Sequence, residues 1–319
     1  MRSTGTSDFE KCPRYFMWRH RYGLSWPTET LAPHLGTFYH AAQGAYYLNP
    51  AGGAETMHNG VQKAYQQVLD SLIDSANKEG RLPSGTPLST AIQKADEAKA
   101  KGSALALWTM QRYPLDRGLY RPIAVEKLIT LRGPDGLMVP ITGRIDLILR
   151  NTKTNNLVNV DHKTFNGSTA NRASTLPFET QPRIYRLLVE KFLKTVPQYA
   201  KSKLSSCFHT ILRTPTIRQT QKETVAQYLD RLSARYDDDD KKAKLEGEPP
   251  PYLISDIPYE GPALDFELQQ KIQTLQIAAS CDPAPHKFPT HDGACFKYNR
   301  PCMFLPLCRA GAQGRADQW

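Results

Sequence analysis

Apolar and polar positions alternate most regularly in the middle of the chain, and alternation of that period predicts β-structure. Three strands are expected there, over Ile123–Leu131, Val139–Leu149 and Leu157–Thr164. The polar stretch Arg150–Asn156 separates the second from the third, so those two read as an antiparallel hairpin. Side chains on a strand alternate between faces. Thr142, Arg144, Asp146 and Ile148 are therefore expected on one side, and Asn159, Asp161 and Lys163 on one side of the next strand. Folding symmetrically about the turn sets Asp146 opposite Asp161. Opposed residues sit ~5 Å apart at Cβ, where like charges are destabilising. A divalent cation between the carboxylates removes that penalty, and Lys163 points into the same place. Two acids and a lysine around a hard cation suit phosphodiester hydrolysis.

Elsewhere the period lengthens to that of a helix. Leu35–Tyr47, Glu55–Asn77 and Leu88–Arg112 fit helices, the last two rich in Ala, Gln and Lys, with Gly80–Pro87 as the loop between them. Cys12-Pro13 suits the opening of an N-terminal helix, where proline is tolerated in the first turn. Phe178–Leu193 reads as a strongly amphipathic helix and Ser205–Thr214 as a further strand. Thr220–Lys244 is a charged helix whose run Asp237–Asp240 reads as a solvated face. Glu248–Pro251 breaks the chain, and Ala263–Ser280 forms a last helix. From Cys281 onward the sequence is rich in Pro, His and Cys and has little periodicity. The expected class is α/β: one domain over residues 1–319, a mostly helical insertion at 48–119 and a cysteine-rich tail at 281–319.

Composition narrows the partners. At 40% hydrophobic and 23% charged residues the chain is ordinary for a soluble globular protein, with no apolar run long enough for a membrane span. The N-terminal residues lack a signal-peptide pattern, so the cytoplasm is the expected location, or the host cytoplasm if a phage encodes the chain. The net charge of +10 favours a polyanionic partner. Arg14, Arg19 and Arg21 interleave with Tyr15, Phe16, Trp18 and Tyr22. Basic groups track phosphates and aromatic rings stack on unpaired bases, although core packing is the plainer reading for several of these rings. No P-loop occurs, so NTP-driven unwinding is not expected. No base-reading zinc finger or helix-turn-helix is evident, which points to recognition of ends or structure over sequence.

The segments Gly143-Arg144-Ile145-Asp146 and Asp161-His162-Lys163, then Gln181 and Tyr185, come in a telling order after His40. Together they resemble the RecB-like branch of the PD-(D/E)XK nucleases, which includes CRISPR-associated RecB-like exonucleases. The resemblance implies a restriction-endonuclease-like core, a mixed central sheet flanked by helices. It implies a DNA nuclease using Mg²⁺ or Mn²⁺, with His40, Asp146, Asp161 and the main-chain carbonyl of His162 as ligands; the histidine nitrogen favours Mn²⁺. Lys163 would position the attacking water or stabilise charge on the phosphate. Gln181 and Tyr185, four apart on one helical face, would brace Lys163 and contact phosphate. Glu126 stands where relatives often carry another acid, and Arg172, Arg183 and Arg186 are basic residues near the site in sequence. The plainer alternatives are a structural His40, an Asp146 that caps a turn or pairs with Arg144 or Lys163, and a Gln181 that caps its own helix. The implied substrate is DNA, as single strands or duplex ends, in recombination, repair, phage DNA processing or CRISPR adaptation, with proteins of those processes as partners. The competing reading is a DNA-end-binding adaptor that keeps the fold and lacks activity.

Six cysteines complete the reading. Cys207 falls in an apolar strand and is expected as a buried thiol. Cys295, Cys302 and Cys308 have six and five residues between them, three donors of a site that needs a fourth. Cys12 resembles the lone N-terminal cysteine of iron–sulfur RecB-like nucleases, which implies a [4Fe–4S] cluster on Cys12, Cys295, Cys302 and Cys308. The first spacing is longer than the commonest pattern in those relatives. Cys281 therefore stays a rival ligand and Zn²⁺ a rival metal.

Overall fold

The computed structural model describes residues 8–24, 33–77, 80–82, 84–114, 119–131, 141–220 and 222–259. Beyond these it describes 269–270, 272–274, 276–278, 280, 295–297 and 300–312. Cys281 and the first part of the helix expected over Ala263–Ser280 lie outside the described residues.

The expected hairpin forms the middle of a five-stranded sheet of order β1-β2-β3-β4-β5. Its strands are β1 (Tyr120–Leu131), β2 (Ile141–Asn151), β3 (Leu157–Phe165), β4 (Leu204–Arg213) and β5 (Tyr252–Pro258). β3 and β4 are parallel, and the other neighbours are antiparallel. A parallel pair needs a crossover, and here the chain between β3 and β4 supplies α5 (Thr169–Thr175) and α6 (Thr180–Lys194). Further helices among the described residues include α1 (Pro13–Phe16), α2 (Pro33–Leu48), α3 (Gly53–Ser75), α4 (Leu88–Arg112), α7 (Val225–Glu246) and α8 (Leu305–Ala312). A short ribbon of β6 (Phe296–Lys297) and β7 (Arg300–Pro301) precedes α8.

Apolar faces explain this layering. Leu147, Leu149, Val158, Val160 and Leu212 of the sheet share a buried core with Phe38, Met57, Leu105 and Leu232 from α2, α3, α4 and α7. Ile145, Ile148, Leu157 and Cys207 bury against Ile184, Leu188 and Val189 of α6. The helices of residues 48–119 thus join the sheet's core mainly through α2, which lies on the strands.

Two features depart from the sequence reading. β5 and α5 are additional elements: a seven-residue strand after a run of prolines and a seven-residue helix carry too little periodicity to announce themselves. In the run Asp237–Asp240 only Asp238 is left as a solvated residue. Asp237 accepts from Arg112 and from Trp108 Nε1, Asp239 pairs with Arg213 and Arg235, and Asp240 is buried against Tyr113 and Lys244. Tertiary partners from α4 and β4 decide that face.

Candidate active site

Register brings the acidic residues to one level. In β1 and β2, Val125 pairs with Leu147 and Lys127 with Ile145, which sets Glu126 level with Asp146. In β2 and β3 the last pair is Leu147 with Val160, so Asp146 and Asp161 follow at the next position. Glu126, Asp146 and Asp161 therefore stand side by side on three adjacent strands. Like charges on neighbouring strands repel, and the backbone is irregular at this level. Glu126 has φ +47°, in the left-handed region. Strict alternation would put Ile145 and Leu147 on one face, yet they lie in different cores.

That irregularity corrects the expected face. Asp146 turns toward α2, with its Oδ2 3.4 Å from His40 Nδ1, while Ile148 packs with α6. Donor atoms of His40, Glu126 and Asp146 lie within 4.8 Å of one another. Two carboxylates and an imidazole are a donor set that fits Mg²⁺ or Mn²⁺. A divalent cation bound there would acidify water and neutralise charge on a phosphoryl oxygen. Glu126, a side candidate from the sequence, is one of the three. Burial and the neighbouring Asp146 charge push its carboxyl up to about 7. Burial opposes protonation of His40, but the Asp146, Glu126 and Asp161 carboxylates outweigh it and raise its pKa.

Asp161 faces α6 and stands outside the group of three donors gathered within 4.8 Å of one another. Lys163 Nζ lies 3.0 Å from Asp161 Oδ1 and 2.9 Å from Oδ2. Gln181 holds both partners: its Oε1 accepts from Lys163 at 2.8 Å, and its Nε2 donates to Asp161 Oδ1 at 3.2 Å. Burial works against the Asp161 charge, but Lys163 and His209 overcome it and hold its carboxyl well below the usual carboxylate range. The His162 backbone N–H donates to Asp146 Oδ2 at 2.8 Å, which joins the two carboxylate groups through one residue. Its ring is buried 2.6 Å from the Thr210 hydroxyl, and burial lowers its pKa to about 4, so the imidazole is neutral.

Tyr185 is buried beside Gln181 on α6, and the charges of Asp161 and Asp146 both reach it. Gly143 makes that approach possible. A Cβ there would stand 2.5 Å from Leu188 Cδ1 and 3.2 Å from Tyr185 Cε1. Arg183, expected near DNA, is buried, with its Nη2 donating to the Pro177 carbonyl oxygen at 2.9 Å. Arg172 pairs with Glu179, and Arg186 with Glu190, so neither is left as a bare phosphate contact.

One residue escaped the sequence reading altogether. His209 on β4 is fully buried, with Nδ1 2.9 Å from Asp161 Oδ2. The two atoms are in close contact, although neither completes a directed hydrogen bond. Behind it Cys207 Sγ lies 3.3 Å from His209 Nε2 and accepts from Asn159 Nδ2 at 3.1 Å. The Tyr259 hydroxyl is 2.7 Å from Asn159 Oδ1 and 3.0 Å from the Pro182 carbonyl oxygen, beside Gln181 on α6. The only signal in the sequence was a histidine in the middle of the expected strand, SSCFHTIL.

At the other end of the chain, Cys12 is buried and Cys295, Cys302 and Cys308 are partly buried. Burial raises the Cys302 thiol, and the Cys12 and Cys295 thiols add to it; Cys308 is raised by burial and by Cys12 and Cys302. The Tyr15 and Phe304 rings meet at 5.1 Å, and Cys302 N–H donates to the Cys295 carbonyl oxygen at 2.7 Å. The N-terminal helix and the cysteine-rich segment are therefore packed together. Phe16 is core while Tyr22 is exposed, dividing the N-terminal aromatics as expected.

A search of curated proteins finds no match to the chain. A family profile, described as the PD-(D/E)XK nuclease superfamily, matches residues 4–309. No helix among the described residues is long and apolar enough to cross a membrane. A match of that extent, on a mixed sheet that carries three acids at one level with a lysine beside them, means that this chain belongs to the PD-(D/E)XK nuclease superfamily of metal-dependent phosphodiester hydrolases.

Proposed function

We propose that the protein is a RecB-like exonuclease that hydrolyses DNA from ends or along single strands, using Mn²⁺ or Mg²⁺. The observation that carries this reading is the single level of Glu126, Asp146 and Asp161, with His40 on one side and Lys163 on the other. His40, Glu126 and Asp146 would hold the cation, with the His162 carbonyl as a further ligand. Lys163, fixed by Gln181 and Asp161, would orient water and stabilise charge growing on the phosphate. The reading predicts degradation of labelled linear DNA with Mn²⁺ or Mg²⁺, none with EDTA, and none with Asp161→Ala or Lys163→Ala. Uncut circular duplex under the same conditions would establish the need for ends. DNA that is bound but left intact under every metal would overturn the catalytic reading in favour of an end-binding adaptor.

A [4Fe–4S] cluster on Cys12, Cys295, Cys302 and Cys308 belongs to the same proposal. Its support is the mutual influence of these thiols. Zn²⁺ is the rival metal for the same thiols. Anaerobically purified protein should be brown and absorb near ~400 nm from its Fe–S chromophore; colourless protein with stoichiometric zinc would refute the cluster.

A further inference from the structure

Residues two apart on a strand share a face. The parallel register of β3 and β4 pairs Asn159 with Cys207 and Asp161 with His209. Those four side chains form two rungs on the α6 side of the sheet, and all four residues are buried. Hydrogen-bond polarity can be followed along them. The Tyr259 hydroxyl sits 2.7 Å from Asn159 Oδ1, and Asn159 Nδ2 donates to Cys207 Sγ at 3.1 Å. Burial, and then the Asp161 charge, raise the Cys207 thiol well above its ordinary range, so the sulfur keeps its proton. With the Asn159 amide on a sulfur lone pair, the S–H is left to donate to His209 Nε2, 3.3 Å away. A ring nitrogen that accepts carries no proton, so the ring proton sits on Nδ1, the atom 2.9 Å from Asp161 Oδ2. A bare Nδ1 would instead set two buried acceptors against each other.

The Asp161 carboxylate needs such a hold. The terminal torsion of an aspartate is broad. Lys163 Nζ lies 3.0 Å from Oδ1 and 2.9 Å from Oδ2, so the lysine alone does not set the carboxylate plane. Gln181 meets Oδ1 from α6, and His209 meets Oδ2 from β4. We infer that His209 is a positioning residue for phosphodiester hydrolysis. With its proton fixed on Nδ1 by Cys207 and Asn159, it holds Asp161 from the Oδ2 side as Gln181 does from the Oδ1 side, and so fixes where Lys163 presents its charge. The inference rests on the nuclease reading and adds to it a residue outside the family's ordered motifs. The contact is not a directed hydrogen bond in the free protein; such contacts commonly tighten when metal and substrate bind.

Two amides separate this role from a merely structural one. His209→Asn can set an N–H where Nδ1 stands, His209→Gln reaches toward the place of Nε2, and His209→Ala supplies neither. Rates are read on labelled linear DNA with Mn²⁺ and the full-length protein. Ala and Gln should lower kcat about ten- to a hundredfold and leave KM within about twofold, whereas Asn should recover to within about threefold of wild type. Urea unfolding should find Asn and Gln destabilised alike, so a structural role would depress both rates together. Asn no faster than Gln would overturn the inference. A second measurement needs no variant. Long-range proton–nitrogen correlation on metal-free wild type with ¹⁵N-labelled histidines should show the His209 ring protonated on Nδ1 and bare on Nε2. A proton on Nε2 with a bare Nδ1 would overturn the inference whether or not the variants fold. Wild-type cleavage with equal Asn and Gln rates leaves the nuclease reading standing. Wild-type protein that leaves DNA intact with every metal removes that reading, and this role with it.

Discussion

Glu126 is the residue whose replacement separates the chemistry of the site from the stability of the fold. Glu126→Gln keeps the shape and the left-handed backbone at that position but removes the charge. In the metal-free protein the carboxyl is held at about 7, against an ordinary 4.5, by burial and then by Asp146. A shift of that size converts to about 3 kcal/mol at 1.36 kcal/mol per unit. The side chain is 34% exposed, so solvent screening leaves roughly 1–1.5 kcal/mol. The sign follows from proton binding. A carboxyl with a raised folded pKa favours the folded state fully below 4.5, and that contribution is lost as pH rises through about 7. Metal-free Glu126→Gln should therefore be the more stable protein at pH 8, by about 1 kcal/mol, and equal to wild type at pH 4.5. Manganese reverses the order. The wild type gains stability by mass action as it binds the ion, whereas the variant has lost one of three donors and should gain much less. Urea unfolding at both pH values, with EDTA and with Mn²⁺, measures all four quantities. A variant that is less stable than wild type at pH 8 in EDTA would refute the charge-repulsion argument. An undiminished manganese gain would remove Glu126 from the cation site.

The same titration makes cation affinity pH-dependent: below about 7 a proton competes for Glu126, and isothermal titration should find Mn²⁺ binding weakening by up to tenfold per unit. His209→Ala takes one partner from a fully buried carboxylate and should cost about 2–3 kcal/mol in urea unfolding; a loss under about 0.5 kcal/mol would mean that Lys163 alone suffices. Gly143→Ala drives a methyl into Leu188 and Tyr185, so it should cost about 1–3 kcal/mol and lower kcat more than it raises KM, because α6 carries Gln181. Unchanged kcat in a destabilised variant would uncouple helix position from Lys163. Cys12→Ser should bleach the proposed cluster and make residues near both ends of the chain sensitive to limited proteolysis; a colourless variant with wild-type resistance would confine the cysteines to a non-structural role.

The sheet was legible because its information is local. Strands β2 and β3 carry long apolar runs, their turn is polar, and symmetry about it gives the pairing through Leu147 and Val160. The helix over Leu88–Arg112 follows from its composition in the same way. Most residues of the candidate site were legible too, since Asp146, Asp161, Lys163 and Gln181 sit in short ordered motifs. Partners that come from distant elements were not. His209 meets Asp161 only because β3 and β4 pair in parallel with those two residues opposite each other. Asp237, Asp239 and Asp240 are drawn inward by Arg112, Arg213 and Tyr113, none of them near in sequence.

The division of labour inside the site was hidden for a further reason. A regular sheet would aim Glu126, Asp146 and Asp161 to the same face as neighbours in a row, roughly 5 Å apart, with no room for each to find its own counter-charge. The irregularities at Glu126 and Asp146 prevent that. Glu126 adopts a left-handed backbone that costs a non-glycine residue about 1–2 kcal/mol. The break in alternation after Ile145 swings Asp146 toward α2 and His40. Asp161 keeps the regular geometry and meets Lys163, Gln181 and His209 on the α6 side. One level of the sheet thus holds a half with His40 and two carboxylates and a lysine-bearing half, joined by the His162 N–H on Asp146. Alternation could supply the row of acids but not its splitting, because the splitting is a departure from the rule that made the row visible.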